Sequence, residues 1–74
     1  MAKDEIQNQV RRLRFEHGEM TQQKLADAVG CTRQTILLLE QGRYVPSLAL
    51  ALRIAATFDQ KVDDVFQLKA SPLN

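Results

Sequence analysis

The chain has 74 residues, with ten Lys and Arg against nine Asp and Glu, a net charge of +1, one His, one Cys and no Trp. That length accommodates one domain, 1–74, and leaves it marginal as a lone unit, because so short a chain buries only about 60% of its unfolded surface; pairing with a partner is the expected support. One cysteine excludes an intrachain disulfide, Cys31 and His17 cannot supply the four ligands of a structural zinc site, and no apolar run approaches the roughly 18 residues of a membrane span.

The first twelve residues lack the apolar stretch of a signal peptide, and with a lone thiol this points to the cytoplasm. Hydrophobic residues make up 45% of the chain and charged residues 26%, which argues against disorder. Charge is nearly balanced throughout, so any anion-binding face must come from arrangement rather than bulk charge.

Helix 1 is expected from Gln7 to His17, with Val10, Leu13 and Phe15 as apolar positions and Arg11, Arg12 and Arg14 between them. Gly18 follows it. Helix 2 starts at Thr21 as N-cap and carries Leu25, Ala26 and Val29 before Gly30 ends it. Helix 3 is capped by Thr32, runs to about Gln41, and turns Ile36 and Leu39 inward; Gly42 follows. Helix 4 follows Ser47 and is apolar almost all round, the pattern of a central core helix. A short fifth element covers about Val62 to Phe66. The piece Val65 to Lys69 is ambiguous between helix end and short strand. A disordered tail is expected over about 70–74.

The informative unit is the pair of short helices over about 21–41. Ala26 is small where helix 3 crosses, Gly30 permits a tight turn, and Leu25, Val29, Cys31, Ile36 and Leu39 form a shared core. With Ile36 and Leu39 inward at 100° per residue, Gln34, Leu38 and Gln41 point outward, with Leu37 flanking. A glutamine there can pair with adenine, and Arg33 with guanine or phosphate. Leu38 could meet a thymine methyl; Leu37 and Leu38 could also form a protein interface or belong to the core. Tyr44 could reach a phosphate through its hydroxyl or pack on helix 4. Arg11 and Arg12 read as a solvated stripe ahead of a phosphate contact, and Cys31 as a buried small hydrophobe ahead of a redox switch. His17 has no base or metal partner, Asp63 and Asp64 diverge on a helix, and no two glycines lie close enough for a phosphate loop. The chain does not read as an enzyme, and neither metal nor cofactor is expected.

The stretches MTQQKLADAVG, TRQTI, LEQGRYVPSLALALRIA and VDDVFQ resemble the small Cro/C1-type (xenobiotic-response-element) helix-turn-helix transcriptional regulators, over about residues 8–68. The resemblance implies an all-α, lambda-repressor-like fold of four or five helices around one core, with a short C-terminal strand as an option. It implies a phosphate contact from Gln22, a recognition helix fronted by Thr32, Arg33, Gln34 and Thr35, a base-facing Leu38, and a phosphate-following loop with Gln41 and Arg43. It also implies an ion pair between Arg14 and Glu40 that ties helix 1 to the end of helix 3. The sequence departs from the pattern at Leu37 and Leu38, usually small or polar; at Cys31, usually Val; at Asp59, often Gly; and at Lys61, often Ser. The last two predict an altered turn before helix 5.

The expected function is sequence-specific regulation of transcription, as a repressor bound to double-stranded DNA at a palindromic operator. The expected form is a homodimer paired through Val65, Phe66 and Leu68, the apolar residues left over once helix 4 is assigned to the core. No small-molecule sensor and no membrane partner are evident. The competing reading is a protein-interaction module, an antitoxin-like partner on the same fold; salt-dependent binding to duplex DNA separates the two.

Overall fold

Three hydroxyl residues set the starts of the three longest helices. In the computed structural model, which describes residues 6–69, Thr21 Oγ1 accepts from the Lys24 amide at 3.0 Å and opens α2 (Gln22–Val29). Thr32 Oγ1 accepts from the Thr35 amide at 3.1 Å and opens α3 (Arg33–Glu40). Ser47 Oγ accepts from the Leu50 amide at 3.1 Å and opens α4 (Leu48–Thr57). Each cap satisfies an amide that the first helical turn cannot pair internally. The remaining elements are α1 (Val10–Glu16), α5 (Val62–Val65) and two short strands, β1 (Ile6–Asn8) and β2 (Phe66–Leu68). The tail expected to be disordered lies outside the described residues.

The helices enclose one core, in which α2 packs on both α3 and α4 and α4 packs on α5. Val10, Leu25, Ile36, Leu39, Ile54, Phe58 and Val65 are its largest fully buried side chains. Three expectations change here. Phe15 is 52% exposed, because α1 buries Val10, Leu13 and Arg14 and turns its next position outward. Helix 4 is not consumed by the core: Leu50, Ala51, Ile54 and Ala55 form its inner stripe, and Leu48 and Leu52 stay exposed on its flank. Val65 has no exposed surface, so it belongs to the chain's own core and not to a pairing patch.

Helix 1 also starts later than its residue pattern suggests. Residues 6–8 pair antiparallel with residues 66–68, Ile6 opposite Leu68 and Asn8 opposite Phe66, and the Gln9 amide donates to Val65 O at 2.9 Å. The C-terminal strand is thus present, and its partner is a strand that the helical pattern of residues 7–17 concealed. Asn8 marks the change of structure. Its Oδ1 accepts from the Val10 amide at 3.1 Å and its Nδ2 donates to Leu39 O at 3.0 Å, which joins β1 to the end of α3.

The turn before α5 keeps a left-handed step without a glycine. Asp59 adopts φ 55°, a conformation open to Asp at a modest cost. Lys61 stands at the N-cap with extended backbone and no side-chain hydrogen bond. The Asp64 amide donates to Lys61 O at 2.9 Å, so Lys61→Ser should offer its hydroxyl to the Asp63 amide and stabilise the fold by about 0.5 kcal/mol, seen as a higher urea midpoint. An unmoved midpoint would show that the turn already satisfies its first amides.

Candidate nucleic-acid interface

The turn between α2 and α3 is three residues long. Gly30 takes φ 78°, and the Gly30 and Cys31 amides both donate to Ala26 O, at 2.9 and 3.0 Å. A side chain would be strained at that φ, which is why glycine ends α2. Cys31 packs against the core edge, half-buried, and burial pushes its thiol pKa up, so the reactive thiolate is disfavoured.

Beyond the turn, Ile36 and Leu39 anchor α3 inward while Arg33 and Gln34 are exposed at its start. Thr35 is half-buried, and its hydroxyl lies 3.0 Å from that of Thr32, so the two tie the first turn of α3 together. Leu37 and Leu38 are both half-buried, which corrects the exposure expected for Leu38. Past the helix, Gln41 and Arg43 are exposed, and the Arg43 amide donates to Leu38 O at 2.9 Å, folding the loop back on the end of α3.

Beneath this face lies a buried polar knot. Arg14 and Glu40 form a two-point pair, Nε to Oε2 at 2.6 Å and Nη2 to Oε1 at 2.9 Å, with side chains 8% and 7% exposed. Arg14 Nη1 also donates to Met20 O at 2.7 Å. The Gln22 amide joins the knot, with Nε2 donating to Glu40 Oε1 at 3.1 Å. An amide nitrogen carries two hydrogens, so Gln22 keeps one for a second acceptor. One cluster therefore fixes the end of α1, the start of α2 and the end of α3 relative to one another.

Two residues beside this knot were read otherwise from the sequence, Arg11 as part of a solvated stripe and Phe15 as an apolar helix position. Arg11 and Phe15 line the same cleft as Gln22, Leu37, Glu40 and Gln41. The Arg11 guanidinium sits 5.6 Å from the Phe15 ring centroid and forms no ion pair among the described residues, whereas Arg12 is paired with Glu16 at 3.2 Å. The signal that could have separated these arginines is the spacing: Arg12 has a carboxylate four residues on and Arg11 does not. Arg33 and Arg43 are likewise without an ion pair among the described residues. His17 is structural, its Nδ1 2.9 Å from Leu13 O and its ring against Phe58. No cluster of three or more metal-ligating side chains occurs among the described residues, and no helix there is long and apolar enough to cross a membrane.

Of the expected pairing residues, Phe66 is half-buried against the core and Leu68 is 72% exposed, while Val65 is internal.

Two capped helices joined by a tight three-residue turn, the second presenting an outward polar start beside uncompensated arginines, define a DNA-binding helix-turn-helix. The chain belongs to the Cro/C1-type family: the helix-turn-helix family model matches residues 11–65. It is 48% identical over 64 residues to YgzD of Bacillus subtilis, covering 86% of this chain and 96% of that protein. It is 44% identical over 61 residues to a protein of Archaeoglobus fulgidus, covering 82% and 86%, and 43% identical over 61 residues to MJ0272 of Methanocaldococcus jannaschii, covering 82% and 91%. All three bear the description of uncharacterised HTH-type transcriptional regulators.

Proposed function

We propose that this helix-turn-helix regulator is a cytoplasmic repressor that binds a palindromic operator as a homodimer. The exposed start of α3, on a helix whose other end is held by the Arg14–Glu40–Gln22 knot, is the observation that carries the reading: a fixed helix with outward polar side chains suits a major groove. Gln34 and Arg33 read base edges, with Leu38 against a thymine methyl. The second amide hydrogen of Gln22, the Thr32 and Thr35 turn with its first amides, and Gln41 and Arg43 follow the phosphates. Arg11 extends this phosphate track onto α1.

Selection of bound duplexes from a random pool tests the reading. Half-sites should emerge with two-fold symmetry about one helical turn apart, near 34 Å centre to centre. Absence of salt-dependent duplex binding would overturn it. Arg43→Ala and Arg11→Ala should each weaken binding on all sequences alike and lower the slope of log affinity against log salt by about 1, while Arg12→Ala leaves the slope unchanged. An Arg11→Ala slope equal to that of the wild type would return Arg11 to the solvated surface.

A further inference from the structure

The outward side of α1 carries two side-chain pairs at one spacing and with opposite consequences. Arg12 meets Glu16, four residues on, at 3.2 Å, and a carboxylate cancels its charge. Arg11 meets Phe15, also four residues on, with the guanidinium carbon 5.6 Å from the ring centroid. Residues four apart are neighbours on a helix surface, so each arginine is held by whatever stands at that position. An aromatic ring attracts a cation through its quadrupole yet carries no charge. It orders the guanidinium and leaves both the charge and the N–H donors available. Arg12 is thus a neutralised cation, and Arg11 an ordered but uncompensated one.

The core does not require an aromatic residue at position 15. Phe15 is 52% exposed, and α1 buries Val10, Leu13 and Arg14 instead. What its ring meets is charge. The Arg14 guanidinium lies 5.4 Å from the same centroid, so one ring serves both the free cation and the buried Arg14–Glu40 pair. Phe15 and Arg11 also line one cleft with Gln22, Leu37 and Gln41. Gln22 spends one amide hydrogen on Glu40 and keeps the other. An anion entering that cleft meets donors from α1, from α2 and from the end of α3.

We propose that Phe15 is a positioning residue for DNA binding, which holds Arg11 ready for a backbone phosphate. The proposal rests on the operator-binding reading above and deepens it at the Arg11 contact. A long side chain ordered only on binding subtracts its lost rotamer freedom from affinity. Arg11 is ordered by the ring beforehand, so less of that cost falls on the complex. A glutamate at position 15 would order Arg11 equally well, as Glu16 orders Arg12, but would cancel the charge that a phosphate needs. An aromatic residue does the first without the second.

Duplex titrations with Phe15→Leu, Phe15→Tyr, Arg11→Ala and the double variant F15L/R11A test the assignment. Position 15 is exposed and leucine is a good helix former, so the urea midpoint of Phe15→Leu should stay near that of the wild type. Phe15→Leu should weaken binding on all sequences alike by about two- to fivefold, the worth of an exposed cation–π contact. Phe15→Tyr restores the ring and should restore the affinity. In the Arg11→Ala background the leucine substitution should have no effect, because the side chain it positions is gone. A leucine loss of equal size with and without Arg11 overturns the assignment, as does a tyrosine loss equal to that of leucine. A loss that merely follows the unfolded fraction makes Phe15 a fold residue and overturns it too. A wild type that binds duplex, with Phe15→Leu binding equally well, overturns the role of Phe15 and leaves the operator reading standing. A wild type that binds no duplex overturns both.

Discussion

Arg14→Ala is expected to destabilise the fold by about 3–5 kcal/mol, the cost of leaving a buried carboxylate without its partner. Glu40 would retain only the Gln22 amide, in a site where its side chain is 7% exposed. Glu40→Ala should cost a similar amount, because Arg14 would keep a single neutral acceptor, Met20 O. Replacing both at once by apolar residues of similar size, Arg14→Met with Glu40→Leu, should recover most of the loss, since removing both charges also removes their desolvation. Urea unfolding of the four proteins makes the comparison. Single variants that lose less than about 1 kcal/mol would show that water relaxes into the site and that the knot behaves like a surface pair.

Gln34→Ala should weaken binding to the selected operator by about five- to 150-fold, corresponding to about 1–3 kcal/mol, and should relax the preference at one base-pair position. The residue is exposed in the first turn of α3, so its truncation leaves stability nearly unchanged and the loss belongs to recognition. Titrating wild type and variant against the selected duplex and its single-position substitutions separates the cases. Equal weakening on every duplex would make Gln34 a phosphate contact, with base reading left to Arg33 and Leu38.

Local signals carried the helix-turn-helix legibly. Thr21, Thr32 and Ser47 announce helix starts because a hydroxyl cap acts within three residues, and Gly30 announces an end because its conformation excludes side chains. Val10, Leu13, Ile36 and Leu39 were readable as core from helical period alone. The Arg14–Glu40 pair, 26 residues apart, was reached through family resemblance and not from spacing. What periodicity could not reveal was β1. Residues 6–8 can continue a helical pattern, and only a partner about sixty positions later makes them a strand. Leu48 and Leu52 were misassigned for a related reason. A helix with apolar residues on every side looks wholly internal, and only the placement of its neighbours tells which side is covered. Arg11 was ranked as solvated surface ahead of a phosphate contact because its cleft is shared with residues of α2 and α3, which its own helix does not reveal.

The strand pair also has a kinetic meaning. The turn between α2 and α3 closes over a few residues, whereas Gln9 and Gln67, at the junction of the sheet with α1, are 58 positions apart. By chain statistics, closing the longer loop costs only about 1.5 kcal/mol more than closing one of ten residues, yet two three-residue strands return few hydrogen bonds for it. Pairing β1 with β2 therefore becomes favourable after the helices have collapsed and shortened the distance between them, which makes it a late step in folding and an early one in opening. The Gln7 and Gln67 amides should then exchange with solvent ahead of those in the middle of α2 and α4. Because Asn8 fastens β1 to Leu39 O, each such opening also releases a bond at the end of α3, so the strand pair steadies the helix proposed to read DNA.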